Sequence, residues 1–263
     1  MIRRCVCQGQ QVTPGQGPDN PGRCSLGPTR PTLLLTRPAA QSARFAEECE
    51  VEVDVIISPI LEIVPCEVRV EFGKFGGLIF TSENGVQAGK GHDLAGRKVF
   101  AVGRRTAEAA RAAGADVTSA DGDAEALIAL ILATRPEGPL LHLRGAHARG
   151  KIAARLTDAG IPTEEQAIYE QVARPLTDEA LAALSGERPV VLPLFSPRSA
   201  TLLCDALPER TAPLFVAAMS PAVAEAWTGP EPKTMEVAES PDAGAMCRAV
   251  ARGVAAARHL VTR

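Results

Sequence analysis

Leu78–Val86 reads LIFTSENGV and Lys98–Val117 reads KVFAVGRRTAEAARAAGADV, and these two pieces decide the fold. Each is a short apolar run that stops at small polar residues and passes into a segment with helical spacing. That is how a buried parallel strand, its tight turn and its return helix look in a sequence. In open parallel sheets ligands meet the loops beyond the carboxyl ends of the strands, where backbone N–H groups and helix N-termini are free for anions. Thr81-Ser82-Glu83-Asn84 and Gly103-Arg104-Arg105-Thr106 are therefore the first places where function is expected.

The same unit recurs outward from there. Upstream, Leu33-Leu34-Leu35 leads through Thr36-Arg37-Pro38 into a helix from Ser42 to Cys49, and Val53–Pro59 forms the next strand. Ile60–Val70 is β-rich and interrupted by Pro65, which suits an extended linker. Downstream, helices are expected over Asp123–Thr134 and Lys151–Ala159, the latter closed by Gly160, with a strand at Pro139–Leu143 between them. Ala167–Val172 is a second extended run. Beyond Pro175 the spacing predicts a helix over Asp178–Leu184, a strand at Val190–Leu192, the turn Phe195–Ser199 and a helix to Leu207. A strand at Leu214–Ala218, the turn Met219-Ser220-Pro221, a helix to Trp227 and a last helix over Asp242–His259 complete the chain.

Strand-FTS-helix and strand-AVG-helix in the first half are thus echoed by strand-FSP-helix and strand-AMS-helix in the second. The expected fold is α/β, with two similar lobes of parallel sheet flanked by helices and joined by a two-stranded extended linker. Residues 1–29, rich in Gly, Pro and Gln, have no period and are set aside as an irregular extension. Residues 30–60 with 174–263 are expected to form one discontinuous domain, and 61–173 the other.

Composition excludes several functions. A net charge of -3 over 263 residues offers no field for nucleic acid or an anionic membrane, so affinity for anions must be local. No apolar run approaches the ~20 residues of a membrane helix, and no export signal is visible. The seven cysteines show no CxxC pair and no zinc spacing, and are read as reduced thiols of a cytoplasmic protein. His142 and His147 resemble a metal pair only in outline, since no Cys or acidic partner accompanies them, and no metal is expected. The dinucleotide fingerprint GxGxxG follows none of the strands.

TRP near the start, IFTSENGV, AVGRRTAEAA, LRGAHARGKIAARL, IYEQV and FSPRSA, in this order over residues 32–257, resemble the uroporphyrinogen III synthase family. The resemblance implies a cofactor-independent, monomeric cytoplasmic lyase of tetrapyrrole synthesis. Its substrate would be the linear tetrapyrrole hydroxymethylbilane, closed to uroporphyrinogen III with loss of water and inversion of the last pyrrole ring. Such a substrate carries eight carboxylates, so the cleft needs many donors and few acids or bases. Positions at or just after expected strand ends supply them: Thr36, Arg37, Ser82, Asn84, Arg104, Thr106, Arg144, Gly145, Arg149, Ser196, Arg198, Ser199 and Ser220. Tyr169, in IYEQV, stands where the family carries a cleft tyrosine, and a phenol protonated at neutral pH suits donation to the departing hydroxyl.

Plainer roles stand beside these. Tyr169 could pack between linker strands, Arg37, Arg144 and Arg198 could be solvated loop charges, and Ser82, Ser196 and Thr106 could serve in helix first turns. Glu83 is read as turned outward, away from a polyanion. Where some family members place threonines in the loop MSPAVAEA, this chain has Ala222 and Val223, which leaves Ser220 as the loop's hydroxyl. The alternative function is a cytoplasmic two-lobed module that binds a small anion without turning it over.

Overall fold

The computed structural model describes residues 30–68, 70–89, 93–147 and 151–261. Two sheets carry the architecture. The first is wholly parallel, in the order β11-β10-β9-β1-β2, from β1 (Thr32–Leu35), β2 (Asp54–Ile57), β9 (Val190–Leu194), β10 (Leu214–Ala218) and β11 (Thr234–Val237). The second runs β3-β8-β7-β4-β5-β6, from β3 (Leu61–Pro65), β4 (Gly77–Phe80), β5 (Lys98–Ala101), β6 (Asp116–Ser119), β7 (Leu140–Gly145) and β8 (Thr163–Ala173). Only β3 is antiparallel to its neighbour.

The two runs expected to form a linker do pair, Leu61 opposite Ala173 through Pro65 opposite Tyr169. They also extend the second sheet, because β8 lies parallel to β7 along its other edge. Strands β6 and β11 have no counterpart in the sequence reading. Both are four-residue edge strands, and neither contains a buried residue, so they lack the continuous apolar run by which inner strands are recognised.

Helices cover both faces. α1 (Ala39–Cys49) and α9 (Ala243–Val261) pack on one face of the first sheet, and α6 (Asp178–Ser185), α7 (Pro197–Asp205) and α8 (Pro221–Glu225) on the other. The alternation of a strand decides the faces: Leu33 and Leu35 join Phe45, Met246 and Val250, while Leu34 joins Leu184 and Leu203. In the second sheet, α2 (Glu83–Gly89) and α3 (Arg104–Ala112) cover Leu78 and Phe80, whereas α4 (Ala124–Thr134) and α5 (Ile152–Asp158) cover Ile79, Phe100 and Leu140. The core is aliphatic, each fully buried Leu or Ile contributing about 1.5–3 kcal/mol. Gly160 follows α5 with φ +88°, as a residue closing a helix in the left-handed conformation must.

One expectation is corrected. Cys49, the last residue of α1, and Cys247 of α9 form a disulfide across 198 residues of chain, because the two helices lie side by side on the same sheet face. Cys66 and Cys204 are free thiols, and Cys5, Cys7 and Cys24 lie outside the described residues. Among the described residues no helix is long and apolar enough to cross a membrane, and no three His, Cys, Asp or Glu side chains gather as metal ligands.

Candidate active site

A cavity of about 720 Å3 opens where the carboxyl ends of both sheets meet. From the first sheet come Arg37 after β1, Phe195 after β9, Met219 after β10, and Pro241-Asp242-Ala243-Gly244 at the start of α9. From the second come Gly103, Arg104, Arg105 and Thr106 after β5, with Asp121 and Gly122 after β6.

Two features make this cavity receptive to anions. The first is the N-terminus of α3, whose cap is Gly103, a residue with no side chain to bond the first-turn N–H groups. The earliest helical bond runs from Ala107 N–H to the Gly103 carbonyl at 3.0 Å, so the N–H groups of Arg104, Arg105 and Thr106 precede the intrahelical ladder. The second feature is Arg37. Its guanidinium lies 4.3 Å from the centroid of the Phe195 ring and has no hydrogen-bond or ion-pair partner among the described residues. Burial, then repulsion from Arg105, lowers its pKa to about 10, so it remains charged at neutral pH. A half-buried cation with no direct ion pair, felt by Glu83 and Glu48 only at longer range, can take an anion as its partner.

The acidic groups nearby are engaged. Arg105 meets Glu48 of α1 at 2.5 Å. Asp242 caps α9, accepting from the Ser240 hydroxyl and from Ala245 N–H at 2.9 Å, and these bonds, Ser240's first, hold its carboxyl below the usual range. Asp121 accepts from the Ser119 hydroxyl at 2.7 Å.

A second cluster stands on the same rim. Phe80 is level with Ala101 on one side and Leu143 on the other, so the turns after β5, β4 and β7 lie side by side. Here Tyr169 is buried with its hydroxyl 3.0 Å from Ser82 Oγ, which also accepts Gly85 N–H at 3.1 Å. Burial raises the phenol pKa and the Ser82 hydrogen bond opposes that rise. Gly145 faces the ring so closely that a Cβ there would stand 2.7 Å from Cζ. Beside this, buried His142 places Nε2 3.5 Å from Thr81 Oγ1, and its Nδ1 has no partner. Desolvation lowers its pKa to about 4, which keeps it neutral.

Of the residues expected at the site, Arg37, Arg104 and Thr106 reach the cavity wall. Tyr169, Ser82 and Gly145 gather one strand away. The others are placed elsewhere: Arg144 is held by Glu165 at 2.7 Å and by the Gly145 carbonyl at 3.0 Å, and Arg198 donates to the Gln171 carbonyl at 3.1 Å. Ser196 and Ser199 form a reciprocal capping box for α7. Ser220 precedes α8 with its side chain making no cap, Thr36 is buried beneath the β1 turn, and Asn84 accepts from Gln41 Nε2 at 2.6 Å. Arg149 lies outside the described residues. Glu83 does not turn outward; it pairs with Arg44 of α1 at 2.8 Å.

Arg105 lies in the turn where function is expected but is not among the residues selected from it, and Phe195, Asp121, Gly122 and the α9 start are not selected either. A signal existed for Asp242, since Ser-Pro-Asp before a long apolar-periodic run marks a helix N-terminus. Phe195 is placed in the turn after the Val190–Leu192 strand, but nothing local shows that its face carries an arginine.

The family model described as Uroporphyrinogen-III synthase HemD matches residues 43–248. The chain belongs to the uroporphyrinogen-III synthase family. Its activity is that family's cyclising lyase reaction in tetrapyrrole synthesis, on a small-molecule tetrapyrrole substrate. The crystal structure of uroporphyrinogen-III synthetase from Helicobacter pylori is similar over 86% of this chain and 100% of its own, at 17% identity and a TM-score of 0.61, which shows the fold. A mutant uroporphyrinogen III synthase from Thermus thermophilus aligns over 86% of this chain and 99% of its own, at 17% identity and a TM-score of 0.47. A search of curated proteins finds no match.

Proposed function

We propose that the cavity between the two sheets binds hydroxymethylbilane through its carboxylates and holds the terminal rings for closure to uroporphyrinogen III with ring inversion. The observation that carries this reading is that Arg37, which has no ion pair, and the side-chain-free N-terminus of α3 line the same cavity. Arg104, Arg105 and the Thr106 hydroxyl add donors on the same wall. Catalysis is then mainly positioning, because the carboxylates are fixed while the ring ends are free to meet.

Loss of the hydroxyl is the step a proton donor assists, and Tyr169 is the donor in this reading. A general acid typically contributes about 100- to 10,000-fold. Cyclisation with loss of water leaves the oxidation level unchanged, so neither a redox cofactor nor a metal is required by the chemistry. The reading extends to a monomer working in the cytoplasm without nucleic acid or membrane, with 30–60 and 174–263 as one domain and 61–173 as the other. The net charge of -3 supports the lack of a nucleic-acid or anionic-membrane partner. The Cys49–Cys247 disulfide is the feature that does not fit a reducing compartment.

The test is a coupled assay in which hydroxymethylbilane is generated in situ, the purified chain is added, and the oxidised products are separated into type I and type III isomers. A dominant type III product supports the proposal. A ratio equal to the protein-free control leaves an anion-binding module and overturns it.

A further inference from the structure

Tyr169 makes a polar contact that the reaction as described does not require. Its hydroxyl lies 3.0 Å from Ser82 Oγ, which is fixed in turn by the Gly85 N–H at 3.1 Å. Ser82 stands directly after β4 and Gly145 ends β7, so the contact is built by two adjacent strand ends and not by a mobile side chain. The ring is held from the other side as well. β7 shifts register against β8 between Arg144 and Gly145, and Ala146 N–H bonds the Tyr169 carbonyl at 2.9 Å. At Gly145 a Cβ would stand 2.7 Å from Cε2 and Cζ and 3.0 Å from the hydroxyl oxygen. A real side chain there would have to displace the ring.

The protons on these two oxygens can be counted. Two hydroxyls carry two protons, and one of them lies between the oxygens. The Gly85 N–H already occupies one lone pair of Ser82 Oγ, so serine can donate its own proton to the tyrosine. In that arrangement the phenol proton points away from Ser82 and is available to a third group. When the phenol gives that proton up, the resulting phenolate stays bonded to Ser82 O–H, and bonds to a charged acceptor are stronger than bonds to a neutral one. Serine therefore stabilises the state that proton donation leaves behind.

We infer that Ser82 and Gly145 are positioning residues for Tyr169: Ser82 orients the phenol proton toward bound substrate and stabilises the phenolate, while Gly145 leaves the space the ring occupies. This rests on the proposed role of Tyr169 as the proton donor. It also assigns Ser82 and Gly145 a duty different from direct contact with substrate carboxylates.

Tyr169 is the single tyrosine of the chain, so a ring-fluorinated tyrosine supplied during expression labels one site, and its fluorine resonance titrates that phenol alone. The fluorinated phenol ionises nearer neutrality, so the folded chain is titrated without strong alkali. In Ser82→Ala the midpoint is expected to rise by about one pH unit, the loss of one hydrogen bond to a charged acceptor. In Ser82→Thr it is expected to return toward the wild-type value. In unlabelled enzyme, Ser82→Ala is expected to lower kcat about 10-fold with KM within about twofold, Ser82→Thr to restore it, and the Tyr169→Phe/Ser82→Ala pair to be no slower than Tyr169→Phe alone.

An unmoved midpoint in Ser82→Ala overturns the inference whatever the activity. So does a moved midpoint with unchanged kcat, or a double variant whose losses multiply. Whether the wild-type chain yields the type III isomer decides the synthase reading separately, since the titration needs no turnover.

Discussion

The turns after β5 and after β9 are the same device at the sequence level and opposite devices in space. Both follow a buried strand, both open a nine-residue helix, and both offer small polar residues and an arginine. After β9, Ser196 Oγ accepts Ser199 N–H at 3.1 Å and Ser199 Oγ in turn accepts Ser196 N–H at 3.2 Å. That helix start is satisfied from within. After β5, Gly103 supplies no such group, and the helix start faces the cavity. The comparison teaches that a binding rim is recognised by polar groups left without partners, and a structural rim by polar groups that already have them. Arg37 and His142 extend the contrast, since one has no direct ion pair and the other an unbonded Nδ1.

Underused groups should cost stability, and the largest expected effect is at His142. Its folded pKa of about 4 lies below the ordinary 6.5. Between these values the unfolded chain takes up a proton that the folded chain refuses, so stability falls as pH drops from 6.5 to 4 and is unaffected above that window. The loss approaches about 3 kcal/mol at the acid end. His142→Leu, neutral at every pH, should lack this component. Thermal melts of both proteins at pH 7 and pH 5 check it, and parallel behaviour would show that His142 is not the underused group it looks.

Next in size is Arg37→Met, which keeps the stem and removes the charge. Activity, as kcat/KM for type III product, is expected to fall about 100-fold, or about 2.7 kcal/mol, as for a charge-assisted bond to carboxylate. Stability should hold or rise, because a buried charge without a partner is removed. Gly103→Asp then converts the open turn into the closed kind, placing a carboxylate on the first-turn N–H groups. KM is expected to rise about 10-fold while the melting temperature holds or increases. A variant that loses stability without losing substrate affinity would break the contrast between the two turns.

Much of this was legible before any coordinates. Leu33-Leu34-Leu35, Leu78-Ile79-Phe80 and Val190–Leu194 announce buried parallel strands because both faces are covered and no polar residue interrupts them. The edge strands β6 and β11 were illegible for the converse reason. Arg37, Arg104 and Thr106, selected by strand-end position alone, line the cavity. Position alone could not separate the Gly103 turn from the Ser196 turn, nor tell Arg37 from Arg144 and Arg198. Those distinctions depend on partners distant in the chain: Phe195 under Arg37, Glu165 against Arg144 and the Gln171 carbonyl against Arg198. The cysteine reading failed likewise, since 198 residues separate Cys49 from Cys247 and only the packing of α1 on α9 brings them together.

The smallest expected effect tests the closed turn itself. Ser196→Ala removes the oxygen that accepts Ser199 N–H and breaks the reciprocal box, leaving one first-turn donor of α7 without its acceptor. Loss of a serine cap costs about 1 kcal/mol, which for a chain of this size lowers the melting temperature by roughly 2–4 °C. Because Ser196 and the first turn of α7 do not line the cavity, although Phe195 before them does, kcat/KM should remain within about twofold of wild type. The two readouts are chosen to disagree: a cap moves the melt and not the turnover, whereas a carboxylate contact moves turnover more than the melt. A 10-fold loss of activity with an unchanged melting temperature would place substrate on the Ser196 turn. It would also show that a helix start closed in the free protein can exchange its own serine for a ligand, so that satisfied and unsatisfied rims would no longer divide structure from function.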